Sequence, residues 1–238
     1  MQRKFKGEMR ASGVLVARLV QAGAIKAVPS SRLPLKKIIQ FGFPNRRSDP
    51  EVNRWRVLNF SHLLRGLRKE MLARLQNILY ASGALWIAKI EGGTGRVVPF
   101  GLASLRVVTT AGVNFLTDAM QGITEPEILK FHGIGTGTTA EAVGDTALVT
   151  ELTTEYNPNS TRATGSLTEG AGANIFRTIG TNTLDSGTPA VTEHGIFSQA
   201  ATGGGTLLDR SVFTAINLNG TNGDGLQTTY DLTFPSGG

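Results

Sequence analysis

At 238 residues, 40 % hydrophobic and 18 % charged, the chain is long and apolar enough to bury a substantial core, which excludes a composition-driven disordered protein. It contains no cysteine, which excludes disulfides and thiolate chemistry, and no run of about 18 uninterrupted apolar residues, which argues against a membrane-spanning helix. Its net charge of +6 is unevenly spread: residues 1–80 hold 17 Lys+Arg against 4 Asp+Glu (+13), and residues 81–238 hold 7 against 14 (−7).

All 27 threonines and 25 of the 30 glycines follow residue 80. The chain therefore reads as two objects: a basic, Leu/Arg-rich, partly helical arm over 1–80 and an acidic, Gly/Thr-rich β body over 81–238. In the arm, Met1–Arg10 is basic and Gly13–Val20 is apolar apart from Arg18. That arginine, with no small-residue cleavage site behind it, speaks against a secretory signal, and the chain reads as soluble. Val14–Ile25 is a short candidate helix interrupted by Arg18 and Gln21. Pro29, Pro34, Pro44 and Pro50 then punctuate a linker that carries Lys36, Lys37, Arg46 and Arg47. Residues 1–56 differ so much from the rest that they also read as an extension translated from an upstream start, with little selected function.

The stronger helix signal is Leu58–Leu79. Ser61 is a candidate N-cap, and Leu64, Leu67, Met71, Leu75 and Ile78 recur at spacings of three and four. Arg65, Arg68, Lys69 and Arg74 flank that stripe, giving an amphipathic helix with a cationic side. Three roles fit such an arm. It packs on its own body or a neighbouring copy; it docks electrostatically on an acidic partner or on phosphate; or it lies on a membrane. Without zinc ligands, a helix-turn-helix signature or many aromatics, its nucleic-acid option is non-specific contact. Lys36, Lys37, Arg46, Arg47, Leu64, Arg65, Leu67, Arg68, Lys69, Met71 and Leu75 are the candidate partner-contact residues. No membrane partner is expected.

From Leu85 onward, short apolar or alternating runs are separated by Gly, Asn, Asp and Pro. Candidate strands are Leu85–Ile90, Arg96–Val108, Ile128–Gly133, Glu151–Tyr156, Arg162–Thr168, Ala173–Asn182, Ala190–Ser198, Thr206–Phe213 and Leu226–Phe234. The last alternates clearly, with Leu226, Thr228, Tyr230, Leu232 and Phe234 on one face. One helix interrupts the pattern: Thr109 or Thr110 caps Ala111–Met120, with Val113, Leu116 and Met120 expected to be buried, Phe115 alongside, and Gly122 as its stop. Short strands with regular turns and one short helix predict an antiparallel β-sandwich or jelly roll. The candidate core is Phe131, Ile134, Phe176, Ile196, Phe197, Leu207, Leu208, Val212, Phe213, Ile216 and Leu232.

Reactive constellations are weak. His62, His132 and His194 are the three histidines, and Glu193 beside His194 points to the opposite face of a strand, so the two make no dyad. Gly133-Ile-Gly-Thr-Gly-Thr-Thr139 has the look of a phosphate-cradling loop but no Walker lysine, and a strand-to-loop transition is the better reading. Asn217, Asn219, Asn222 and Asp224 crowd one turn with a single carboxylate, which favours a hairpin turn over a Ca²⁺ site. Glu151, Glu155, Glu169 and Glu193 are scattered among strands. Asp209 and Arg210 alternate across a strand, and either could bridge to another strand or subunit. No catalytic residue, cofactor or metal is expected, a profile of binding and structural modules. An enzyme acting on carbohydrate or nucleic acid would instead need carboxylates that converge.

The stretch FHGIGTGTTAEAVGDTAL (131–148), then RATGS (162–166), ANIFRTIGTNTL (173–184) and AVTEHGIFSQAATGGGTLLDRSVFTAINLNGTNGDGLQTTYDLTF (190–234) resembles a recurring family of tailed-bacteriophage virion proteins, and RVVTTAGVNFLTDAMQG (106–122) fits the same pattern. The ordered succession of GxGTGTT, TEHGIF, LLDR and a terminal alternating strand carries the resemblance, which covers the β body and leaves the arm outside. It implies a non-enzymatic structural protein of the phage virion, first a capsid decoration or cement protein on the head, and second a tail, neck or fibre component that contacts a host surface glycan. The implied partners are the phage major capsid protein and other copies of the chain.

Overall fold

The computed structural model describes residues 49–75, 82–157, 159–170 and 172–234. The candidate helix Val14–Ile25 and the linker cations Lys36, Lys37, Arg46 and Arg47 lie outside the described residues.

The first element, α1 (Pro50–Leu75), starts at Pro50 rather than at Leu58. Asp49 caps it: its Oδ1 accepts from the Glu51 N–H at 2.8 Å and its carbonyl from the Asn53 N–H at 3.0 Å. Pro50, read from sequence as linker punctuation, occupies the first helical position, where a missing N–H is harmless and the fixed φ suits a helix. Ser61, expected as the cap, lies inside the helix with its hydroxyl toward the Leu58 carbonyl at 3.4 Å. The buried face is Val52, Trp55, Asn59, Leu63, Gly66 and Leu67. Leu64, part of the expected apolar stripe, faces outward at 44 % exposure.

The body is mainly β, as the alternation predicts. One antiparallel sheet is built from β1 (Ser82–Ile90), β2 (Val97–Val107), β4 (Tyr156–Asn157), β6 (Thr168–Glu169), β7 (Ile175–Leu184) and β10 (Gly225–Thr233), in the order β2-β1-β10-β7-β4 with β6 also on β7. The second contains β3 (Phe131–Gly135), β5 (Ala163–Thr164), β8 (Ala190–Phe197) and β9 (Leu207–Asn217), in the order β5-β3-β8-β9. The two form a sandwich. Two expected strands are much reduced. Glu151–Tyr156 contracts to an isolated bridge at Glu151 and to β4, and Arg162–Thr168 splits into β5 and β6 around Gly165. A Cβ at Gly165 would strike the Thr178 hydroxyl and the His132 ring, so backbone runs unusually close to the interior there.

The main apolar cluster joins both sheets to α1: Trp55 packs edge-on to Phe100 at 5.1 Å, alongside Leu85, Ile87, Ile134, Leu184, Phe213 and Leu226. A second cluster holds Phe115, Leu129, Ile196, Leu208, Tyr230 and Leu232; Phe176, expected in the core, is half-buried against it. Phe131 likewise sits at the margin of a small third cluster with Leu148, Phe197 and Leu207.

The compositional break near Tyr80 is therefore not a break in packing, and Val52 and Trp55 of the expected 1–56 extension are core residues. α1 lies across the edge strands β2 and β9, one from each sheet. Asn59, wholly buried, donates from Nδ2 to the Ala103 carbonyl of β2 at 2.8 Å and accepts the Thr214 N–H of β9 at 3.0 Å. Trp55 Nε1 donates to the Thr214 carbonyl at 2.6 Å, and Arg56 Nε to the Phe100 carbonyl at 3.0 Å. Helix side chains thus satisfy edge groups that otherwise invite pairing with another chain.

The second helix, α2 (Thr110–Met120), follows β2 and is capped as expected, with Thr109 Oγ1 accepting from the Gly112 N–H at 3.0 Å and Gly122 beyond its end at φ 73°. Its buried side differs from the expected one. Gly112 and Phe115 face the body, whereas Val113 and Met120 are exposed. Gly112 allows this: a Cβ there would lie 2.7 Å from the Leu208 carbonyl oxygen, so the helix seats on β9 by its backbone.

Candidate functional site

The interior contains a polar layer where an apolar core is the usual solution. Along β10 the inward positions run Leu226, Thr228, Tyr230, Leu232; along β3 they include His132 and Ile134; along β7 they include Thr178 and Leu184. His132, His194, Thr178 and Thr228 thus fall between the two main apolar clusters, joining strands of both sheets. His132 Nδ1 lies 3.1 Å from His194 Nε2 and 2.7 Å from Thr228 Oγ1, and its Nε2 lies 3.0 Å from Thr178 Oγ1. Thr228 Oγ1 also lies 3.5 Å from the Gly180 carbonyl oxygen. A Cβ at Gly180 would sit 2.6 Å from the His132 ring, so glycine there makes room for the imidazole. Burial pushes His132 down to about 3 from 6.5. His194 falls well below its ordinary value, first through burial and then through repulsion by His132. Both stay neutral at ordinary pH and have no exposed surface.

Several of the body's carboxylates are held by arginines. Glu193, on the opposite face of β8 from His194 as the alternation requires, is wholly buried under the loop that follows β3. Its oxygens accept the N–H groups of Gly137 at 3.0 Å, Val149 at 3.1 Å and Thr150 at 2.8 Å, and Arg210 Nε at 2.8 Å. The Gly-rich run with a phosphate-loop look gives one N–H, that of Gly137, to this carboxylate of the protein's own, and the other two come from Val149 and Thr150. Arg210, fully buried, also reaches Asp145 at 3.1 Å and the Thr139 carbonyl at 3.1 Å.

Arg162 grips both oxygens of Glu151, donates to the carbonyls of Gln199 and Gly204, and lies 3.4 Å over the Phe197 ring. Arg177 holds Asp231 at 2.6 and 2.7 Å. Asp224, in the Asn-rich turn, accepts from the Asn219 and Gly92 N–H groups and pairs with Lys89 at 3.0 Å. Burial alone would raise its carboxyl; those donors outweigh it and hold it low. Among the described residues no three His, Cys, Asp or Glu side chains are grouped to hold a metal.

The exposed candidate residues lie on α1. Leu64, Arg65 and Arg68 point outward with Arg54, Val57 and Leu58, while Leu67 is buried on the body and so is withdrawn from any partner. Arg65 reaches His62 Nδ1 at 2.8 Å. Lys69, Met71 and Leu75 belong to the last turns of α1, their side chains outside the described set. What the sequence reading missed is the helix's inner face: Asn59, Trp55 and Gly66, whose signal was the Val52–Trp55–Asn59 spacing hidden among charged residues. No known protein-family model matches the chain, and no curated protein is detectably similar to it. No helix among the described residues is long and apolar enough to cross a membrane.

Proposed function

We propose that this chain is a non-enzymatic structural protein of a tailed-bacteriophage virion, a capsid decoration or cement protein that stabilises the head by bridging shell subunits. One observation carries the reading: the motifs behind the family resemblance are the residues that build the interior. GxGTGTT supplies the Gly137 N–H that Glu193 accepts, TEHGIF supplies Glu193 and His194, LLDR supplies Arg210, and the terminal strand supplies Thr228 and Tyr230. These motifs describe a framework, with its ionisable groups paired inside it, and its edge strands β2 and β9 are shielded by α1. A rigid module of that kind suits repeated use on a symmetric shell, where many weak contacts add through avidity. The partners on this reading are the phage major capsid protein and further copies of the chain, and the basic arm adds non-specific attraction to acidic surfaces.

The test is quantitative mass spectrometry and cryo-electron microscopy of particles of the phage that encodes the chain. Copy number near that of the shell subunit, with density on the head, is expected. Density confined to the tail would move the protein to the tail, neck or fibre reading, and absence from particles would end the virion reading altogether.

A further inference from the structure

Two outward faces of the molecule match each other. On α1, Arg54, Leu58, Arg65 and Arg68 recur at helical spacing with Val57 and Leu64, and all six are exposed. Residues 50–68 hold four arginines and one carboxylate, Glu51. On α2, Val113 and Met120 stand two turns apart on the outward side, Met120 at 82 % exposure. Ile123 follows at 68 %, and Val143 is held beside the start of the helix by the Thr110 N–H donated to its carbonyl at 2.8 Å. Asp118 and Glu125 are exposed in the same region, and residues 110–129 carry three carboxylates and no lysine or arginine. Single exposed hydrophobes are ordinary; four spread along one helix and its flanks, in a segment without cations, are not.

We infer that the outer face of α1 in one copy docks on the α2 face, Val113–Met120–Ile123, of a second copy, with Arg65 and Arg68 set against Asp118 and Glu125. The occupant is another copy because both halves of the match are on this chain: apolar side chains interleaved with cations on α1 meet an apolar stripe with Asp118 on the other flank of α2 and Glu125 just beyond its end. A polyanion such as nucleic acid would use the arginines and leave Val57, Leu58 and Leu64 unsatisfied. A reciprocal contact closes as a dimer, and a one-directional contact that closes gives a ring. The contact concerns isolated copies, so it stands or falls separately from the virion reading.

Sedimentation velocity of the full chain tests it at about 50 mM and about 500 mM salt, since the paired charges are screened at the higher value. Concentration-dependent association, weaker in high salt, is expected. Arg65→Glu/Arg68→Glu and Asp118→Lys/Glu125→Lys each place like charges opposite one another and should weaken association by about tenfold or more. Mixing the two variants restores opposite charges at every contact, so the mixture associates although neither variant does alone. That rescue also shows both variants are folded. Met120→Asp should weaken association at both salt concentrations. A monomer throughout the concentration range overturns the inference, as does association that survives both charge reversals. Failure of the mixture to associate overturns it too. So does a result in which reversing Arg65 and Arg68 abolishes binding to a DNA oligomer and leaves self-association unchanged.

Discussion

Titration of the folded protein from about pH 7.5 to 5 perturbs the polar layer at His132 and His194. In the unfolded chain both imidazoles take a proton near pH 6.5. In the folded protein burial pushes His132 down to about 3 and His194 well below its ordinary value. The groups facing the pair from β7 and β10, Thr178 and Thr228, carry no charge to hold an imidazolium. Below pH 6.5 the unfolded state therefore binds more protons, so stability is intact above that value and declines as the pH falls toward the folded values. For His132 the slope steepens toward about 1.4 kcal/mol per pH unit as the unfolded imidazole fills with protons, so it removes about 1.5–2 kcal/mol between pH 6.5 and 5, and His194 adds to the loss in the same direction. That is a large share of a domain stability of about 5–15 kcal/mol. Carboxylates of ordinary affinity do not titrate until lower pH, which isolates the histidines. The assay is urea unfolding followed by the fluorescence of Trp55 and Trp86, both buried. The comparison is of slopes: wild type loses stability steeply from pH 6.5 to 5, and His132→Asn/His194→Asn loses little. A wild-type stability that is flat across this window would refute the reasoning about the layer.

Two further substitutions probe the framework. Glu193→Gln leaves the Arg210 charge buried without its closest partner and should cost about 3–5 kcal/mol in urea unfolding, toward the lower end because Asp145 and the Thr139 carbonyl remain. The apolar double change Glu193→Leu/Arg210→Met should not recover that loss, because the N–H groups of Gly137, Val149 and Thr150 would each lose a buried acceptor at about 1–3 kcal/mol; near-neutral stability would show that the cradle contributes nothing. Gly66→Ala raises intrinsic helix propensity by about 1 kcal/mol, yet its Cβ would run into the Leu105 carbonyl oxygen of β2. A lower melting temperature is therefore expected, and a higher one would mean that α1 does not sit tightly on the edge strand.

The β body was legible because its signal is local. Alternation in Leu226–Phe234, β-branched runs and Gly/Asn turns need only neighbouring residues, and the resulting strands agree with β1, β2, β7, β8, β9 and β10 within a few positions. The misses share a different cause. α2 was expected to bury Val113 and Met120 because they are its apolar residues, whereas the helix seats through Gly112 against the Leu208 backbone, a contact that no hydrophobicity pattern records. Glu193 and Arg210 were visible as charged strand residues. Their pairing depends on the loop from Gly137 to Thr150 folding back over β8, which is a tertiary event. The His132–His194 pair was invisible for the same reason, since β3 and β8 become neighbours only through sheet order.

The sharpest such case is the boundary between arm and body, and truncation decides it. Composition places the division at residue 80, but α1 supplies Trp55 to the core and Asn59 to both sheet edges. Removing residues 1–48 leaves Asp49 to cap α1 and to reach Arg96 at 3.5 Å, so the helix across β2 and β9 is kept. Removing residues 1–80 strips the cover from β2 and β9. It leaves the Ala103 carbonyl and the Thr214 N–H without their partners, at about 1–3 kcal/mol each, and exposes apolar core surface beside two open strand edges. That variant should aggregate or associate through its edges, seen as high-mass species in light scattering with added intermolecular β signal in the infrared. A monodisperse, cooperatively folding 81–238 fragment would mean that the basic half is an appendage after all, and that the edge strands of this sandwich are safe without a helix across them.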